Sequence, residues 1–188
     1  MLEQLLAYDK ELFLYLNNLG SETWDGLWLV ITNKLSSIPL YVLLLFLIYK
    51  KLGWKAVVLM VLVIAAMVTF TDQITNVFKD SFQRPRPCRA EGVKDIMRFV
   101  APRCGKYGFF SGHASNSMAV AIFAGLLLKP YFKTLLILLL IWSFIVAYSR
   151  IYVGVHYPLD IVCGLTFGVL AGFGFYKLYN FLFKRYVR

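Results

Sequence analysis

The chain has 188 residues, 60% hydrophobic and 17% aromatic, with 16% charged against roughly 25% in an average soluble domain. That composition excludes disorder and an ordinary water-soluble domain, and at this length it leaves room for a single core. Twenty Lys and Arg against ten Asp and Glu give a formal charge of +10, which suits nucleic acid, an anionic membrane surface or a phosphorylated substrate; the cations cluster between long apolar runs instead of covering a solvated face, which argues against nucleic acid.

In residues 1–20, Leu2, Leu5, Leu6, Leu12, Phe13 and Leu16 recur at near-helical spacing, with Glu3, Asp9, Lys10 and Glu11 between them. This pattern predicts a helix lying in the membrane interface. It lacks the basic start, long apolar centre and small-residue cleavage site of a removed signal peptide. Five later stretches, 35–49, 56–71, 107–128, 134–149 and 161–176, contain no Asp, Glu, Lys or Arg. They predict spans near 27–49, 54–79, 113–129, 133–152 and 159–182, lengthened at their ends by snorkelling cations and by polar residues facing the bundle interior. The expected fold is an all-α integral membrane bundle of about five transmembrane helices plus the N-terminal interfacial helix, six helices in total. Residues 1–188 form one membrane-embedded domain, and 80–112 form an extracytoplasmic loop carrying site residues.

Orientation follows from the short connections. Lys50, Lys51, Lys55, Lys129, Lys133, Lys177, Lys184, Arg185 and Arg188 lie in segments without an acid, which predicts that these segments and the C-terminus are cytoplasmic. The loops at 80–112 and 150–158 then face the periplasm or cell exterior. Cys88 and Cys104 share the longer of these loops; in an oxidising compartment they can close a loop of roughly 17 residues, a restraint of roughly 3 kcal/mol, or they can stay as two free thiols. Cys163, inside the last helix, reads as a small apolar filler. No spacing resembles a zinc site.

Charged residues that a membrane chain retains at helix ends are expensive and usually functional. Three clusters stand out: Lys79 through Arg84-Pro85-Arg86-Pro87, Phe110-Ser111-Gly112-His113, and Ser149-Arg150 through His156, Pro158 and Asp160. His113 and His156 are the only two histidines of the chain, and each sits in such a cluster. Lys79, Arg86 and Arg150 are suited to hold a phosphoryl group and neutralise charge on its equatorial oxygens. Ser111, Gly112 and His113 begin a helix, where free amides and the dipole favour an anion, and Gly112 allows close approach of the backbone. If Pro158 opens the last helix, Asp160 lies in its first turn with His156 just outside. The carboxylate can then fix one ring nitrogen of His156 and leave the other as a nucleophile, with His113 as general acid toward the leaving oxygen. Without His156 upstream, Asp160 would read simply as a helix cap. The chain offers neither a carboxylate cluster for Mg²⁺ nor a His/Cys set for Zn²⁺, so neither a metal nor another cofactor is expected. Outside the clusters, Asp72 and Asn76 read as partners of a site cation or as bundle residues, Lys34 as a snorkelling lysine or a headgroup contact, and Arg84 as a solvated or lipid-phosphate contact.

Lys79-x6-Arg86-Pro87, Ser111-Gly112-His113 and Ser149-Arg150-x5-His156-x3-Asp160 together resemble the three signature motifs of the type 2 phosphatidic acid phosphatase family, in the superfamily shared with vanadium haloperoxidases. The resemblance covers about residues 55–175. It implies a membrane helical bundle acting on lipid phosphates through a phosphohistidine intermediate. By position it implies His156 as nucleophile, Asp160 as its orienting partner, His113 as general acid, and Lys79, Arg86, Arg150, Ser111 and Gly112 as phosphate contacts. Two features depart from the family pattern: Phe110 stands where the family usually has Pro, and five spans replace the six of many members.

The expected activity is therefore metal-independent hydrolysis of a phosphate monoester or diphosphate of a membrane lipid in the plasma (inner) membrane. Undecaprenyl diphosphate, released on the outer face during cell-wall assembly, is the first choice, ahead of phosphatidylglycerophosphate, phosphatidic acid and lipid A phosphate. The alternatives are a haloperoxidase holding vanadate in the same pocket and a lipid-phosphate binder or carrier without turnover. The expected partners are the lipid substrate and the bilayer; the oligomeric state is open.

Overall fold

Seven α-helices carry the described residues, 1–187, of the computed structural model: α1 (Leu2–Asn18), α2 (Glu22–Thr32), α3 (Ile38–Leu52), α4 (Trp54–Phe82), α5 (Gly112–Leu128), α6 (Leu135–Tyr152) and α7 (Pro158–Tyr186). The β structure among these residues is one isolated bridge, Pro85 to Tyr107. Lys34–Leu52, α4, α6 and α7 are each long and apolar enough to cross a membrane, and α5 is a shorter apolar helix of 17 residues. The chain is an all-helical integral membrane protein.

The first expected span, 27–49, is not one helix. Asn33 adopts an extended conformation and its side chain accepts the Leu35 amide at 3.0 Å, giving a short 3-10 turn at Lys34–Ser37 before α3 begins. Asparagine competes with helical hydrogen bonding in this way, and Pro39 in the first turn of α3 has no N–H to continue the ladder from α2. The result is an extra helix, α2, that lays Trp28 on Tyr152 with ring centroids 4.9 Å apart.

Helix α5 is buried on nearly all sides, from Ala114 to Leu128, as the unbroken apolar run from Met118 to Leu128 requires. Its tightest neighbour is α7. Gly164, Gly168 and Gly172 recur every four residues, and a Cβ built on them would stand 2.6, 2.5 and 2.6 Å from the carbonyl oxygens of Ser111, Ser115 and Ala119. Small residues at this spacing let two backbones touch, the usual route to tight packing inside a bilayer. The contact joins the start of α5, with His113, to the start of α7, with Asp160. Gly168→Val should cost about 1–3 kcal/mol or more by overpacking, seen as a lower melting temperature in detergent. Gly174→Val, with open space around its backbone, should leave the melting temperature unchanged.

At the opposite end Leu44, Ile48, Met60, Phe123, Leu128 and Tyr179 form the main core. Lys51 lies over the rings of Tyr131 and Phe132 there, bringing the α3–α4 and α5–α6 connections to one side. Helix α1 buries Asp9, Phe13 and Asn17, while Leu2, Leu5, Leu6 and Leu12 stay exposed. Asn17 ties α1 down: its side-chain amide donates to the carbonyls of Ile151 and Tyr152 at 3.0 and 2.9 Å, and its oxygen accepts the Arg98 amide at 2.7 Å.

Candidate active site

The turn between α6 and α7 carries the first part of the site. The Arg150 carbonyl accepts the amides of Val155 and His156 at 3.0 and 3.3 Å. Gly154 makes the bend at φ +83°, where a side chain would also strike the Met97 methyl and the Arg98 carbonyl. Pro158 then opens α7 and puts Asp160 in its first turn. The Asp160 Oδ2 lies 3.2 Å from His156 Nδ1 and accepts the Tyr157 amide at 3.1 Å. Helix cap and histidine partner are thus one carboxylate in one geometry. A carboxylate only accepts, so Nδ1 carries the ring proton and Nε2 keeps its lone pair.

His156 is 2% exposed and Asp160 is fully buried. His156 lies outside the spanning helices; burial first, then the charges of Arg86 and Arg150, lower its pKa to about 4, against the raising pull of Asp160. It is therefore neutral over the physiological range.

The second part comes from the end of α4 and the loop after it. Gln83 takes a left-handed conformation and its amide returns to the Lys79 carbonyl at 3.0 Å, which ends the helix. Arg86 Nε donates to the Tyr107 carbonyl at 2.9 Å, and the Gly108 amide donates to the Arg84 carbonyl at 2.9 Å. Gly108 passes so close to the pair that a Cβ on it would lie 3.0 Å from Asp160 Oδ2 and 3.7 Å from His156 Nδ1. The structure joins Cys88 and Cys104 of this loop in a disulfide, with Cα atoms 6.2 Å apart.

The third part is the start of α5. Ser111 is fully buried; its hydroxyl accepts the Ala114 amide at 3.4 Å and its own amide donates to the Asp160 carbonyl at 3.0 Å. Its N–H is therefore committed within the protein, and the amides of this turn that have no intrahelical acceptor and are left for an anion are those of Gly112 and His113. A Cβ on Gly112 would lie 3.9 Å from Lys79 Nζ. Phe110 packs edge-on against Phe78, with centroids 5.2 Å apart, and tilted against Phe167 at 5.3 Å. These ring contacts hold Phe110 at the position where the resemblance leads one to expect a proline.

Arg150 hydrogen-bonds Thr32 of α2 through Nη1, while its Nε is buried with no hydrogen-bond partner among the described residues. His113 and Thr32 open onto a mostly apolar cavity of about 520 Å³, which continues past Asp72, Asn116 and Val120 to Met60 and Ala124. From His113 to Ala124 it follows α5 for ~16 Å, about half the hydrocarbon thickness of a bilayer. Lys34 stands on its lining, exposed. Asp72 accepts the Asn116 side-chain amide at 2.7 Å, whereas Asn76 is exposed.

Arg84 differs from the sequence expectation. It is not a solvated or lipid contact: its two terminal nitrogens bond Asp160 at 2.8 Å and Asp9 at 2.6 Å, and its guanidinium lies 4.2 Å from the centre of the Tyr157 ring. Thr32, Gly108 and Asp9 are the site residues that sequence reasoning did not single out, and Arg84 is the one it placed in another role.

The family model described as PAP2 superfamily matches residues 55–184. Over 98% of its length the chain is 35% identical to a lipid A 4'-phosphatase of Bacteroides thetaiotaomicron, covering 83% of that protein. It is 30% identical over 91% of its length to an undecaprenyl-diphosphatase of Sulfolobus acidocaldarius, covering 78% of that protein. The fold matches the crystal structure of a transmembrane PAP2-type phosphatidylglycerolphosphate phosphatase from Bacillus subtilis with a TM-score of 0.72, over 98% of this chain and 89% of that one, at 20% identity. With the helical bundle and the assembled motifs, these likenesses make the chain a member of the PAP2 superfamily and a lipid phosphatase of the PAP2 type.

Proposed function

We propose that the chain removes a phosphate monoester from a lipid A-type glycolipid by way of a phosphohistidine at His156. The buried His156–Asp160 pair carries the catalytic reading, because it leaves a neutral Nε2 within the field of the Arg86 and Arg150 guanidiniums. In the first step Nε2 attacks phosphorus, the bond from phosphorus to the lipid oxygen breaks, and His113 gives its proton to that oxygen. Lys79, Arg86 and Arg150 take up the charge on the equatorial phosphoryl oxygens, with the amides of Gly112 and His113 beside them. Buried Arg150 Nε, with no protein acceptor among the described residues, suits an anionic oxygen. In the second step water attacks phosphorus, His113 takes a proton from that water, the bond from phosphorus to Nε2 breaks with its electron pair returning to the ring, and phosphate leaves. The three cations supply the charge stabilisation that a metal would otherwise give, so turnover proceeds with a chelator present.

The apolar cavity leading away from His113 suits a lipid tail on the leaving-group side. The glycolipid reading is supported by 35% identity over nearly the whole chain to a lipid A 4'-phosphatase. Undecaprenyl diphosphate, the first choice from sequence, becomes the second reading, supported by the more weakly similar undecaprenyl-diphosphatase. The site lies on the extracytoplasmic face in this reading. The basic connections at the other end and the Cys88–Cys104 disulfide, which suits an oxidising compartment, support that sidedness.

Phosphate release by the purified protein from lipid A and undecaprenyl diphosphate, in detergent with EDTA, tests the reading. A higher kcat/KM on lipid A is expected; a preference for the diphosphate would replace the glycolipid, and silence on every lipid phosphate would remove the enzymatic reading.

The acid limb of kcat/KM tests the state of His156. As pH falls, Nε2 loses its lone pair only when the ring protonates, and a lowered pKa moves that loss to lower pH. Once the substrate's own ionisation at about pH 6 has been divided out, the free-enzyme limb should lie at about pH 4. An enzyme limb near 6.5, the unperturbed histidine value, would contradict the buried neutral ring.

A further inference from the structure

We propose that Arg84, braced by Asp9, is a positioning residue for the His156–Asp160 pair, so that α1 is a working part of the active site. The proposal rests on the phosphohistidine reading above.

A fully buried carboxylate needs a charge partner and filled lone pairs. Neutral His156 supplies a hydrogen bond but no charge. The other cations of the site, Lys79, Arg86 and Arg150, make no ion pair with Asp160 and are the ones assigned to the phosphoryl group above. Arg84 alone of the site cations bonds Asp160 directly, at 2.8 Å on Oδ1, and leaves Oδ2 to His156 and the Tyr157 amide. The carboxylate is thus held from both sides and cannot turn about its own axis without breaking one set of bonds. That fixes the direction of the imidazole and hence the line of attack of Nε2.

Asp9 fixes Arg84 in turn. Its Oδ2 accepts from Arg84 at 2.6 Å and its Oδ1 accepts the Leu159 amide at 2.8 Å, so one α1 carboxylate grips both the arginine and the first turn of α7. Phe13, one turn further along α1, meets Tyr157 edge-on at 5.3 Å. Asp9 also balances charge. Two carboxylates and one guanidinium leave the trio with a net negative charge, and Asp160 keeps the ability to stabilise the positive imidazole that forms as Nε2 bonds to phosphorus. Arg84 with no second carboxylate would oppose that positive charge.

The test is steady-state kinetics on a lipid phosphate monoester in detergent micelles, with melting temperature as the check on folding. Arg84→Gln should lower kcat about 10²-fold by misplacing the nucleophile, with KM little changed because the phosphate contacts remain. Arg84→Lys should recover part of the loss, since a lysine keeps the charge but not the two-pronged geometry. Asp9→Asn, which keeps Arg84 on Asp160, should show a smaller loss in the same direction. In an Asp160→Asn background Arg84→Gln should cost nothing further, because its effect passes through Asp160. Wild-type kcat in Arg84→Gln, or an undiminished second loss in the Asp160→Asn background, would overturn the proposal. Wild-type kcat in Asp9→Asn would remove α1 from it. His156→Ala, measured alongside, separates the two readings. Turnover in that variant breaks the histidine mechanism itself, whereas a dead His156→Ala with a fully active Arg84→Gln breaks only the positioning role.

Discussion

His156→Ala should lose at least about 10⁴-fold in kcat, the scale seen when a nucleophile that works as a unit with its partners is removed. The expectation follows from the surroundings of the ring. Cations and helix amides can still bind a phosphate in the variant, but they present no lone pair to phosphorus. The neighbouring Asp160 is committed to Arg84 and the Tyr157 amide and does not replace the ring. Folding should survive, because those same two bonds keep the carboxylate paired after the ring is gone. The cost should be about 1–3 kcal/mol, as for other buried side chains cut back to alanine. KM should change far less than kcat. The direct check is to quench the wild-type protein during turnover in alkali, which preserves phosphohistidine, and look for phosphate bound to the peptide containing residue 156. Absence of the adduct, or near-normal turnover in the variant, would remove the covalent mechanism.

The architecture was largely legible, because a bilayer demands long apolar helices and the chain has few ways to supply them. What escaped was written in other terms. The break at Asn33 carries recognisable signals, an asparagine, two serines and Pro39, but an apolar-run reading passes over them. The Gly164, Gly168 and Gly172 stripe is plain in the sequence as a four-residue repeat; among so many apolar residues it reads as filler until α5 is seen lying against it. Helix α1 shows the limit of periodicity. Leu2, Leu5, Leu6 and Leu12 form an exposed apolar face, while Leu14 and Leu16 pack against the core. Its protein-facing stripe includes Asp9 and Asn17, which an amphipathic pattern assigns to water.

The three motif clusters were legible for a different reason. Lysine, arginine and histidine at helix ends of an apolar chain are too costly to keep without a task, so they declare themselves one by one. Arg84 was in view beside Arg86 and was still misread. Its partners, Asp9 and Asp160, lie 75 and 76 positions away, and no local rule distinguishes an arginine that meets phosphate from one that holds a carboxylate. Only the fold brings α1 across the start of α7 and makes that distinction.

His113→Ala should show a loss that depends on what leaves. Departure of a sugar or alkyl oxygen from phosphorus generates a strongly basic alkoxide unless a proton arrives in the same step, and a positioned general acid is worth roughly 10²–10⁴-fold there. A lipid monophosphate leaving from a diphosphate is a far weaker base, with a second ionisation at about 6, and gains little from protonation; an aryl phosphate behaves similarly. Hydrolysis of the phosphohistidine is common to every substrate, so kcat can converge on one slow second step in the variant. kcat/KM reads only the first step and keeps the distinction. In that parameter His113→Ala should fall by about 10²-fold or more on lipid A or a simple lipid monoester, and by much less on undecaprenyl diphosphate and p-nitrophenyl phosphate. Equal losses on all four would assign His113 to binding instead of proton transfer. The pattern also bears on the substrate: a protein whose preferred lipid is the one most damaged by loss of His113 is built to expel an alkoxide, as a glycolipid phosphatase must.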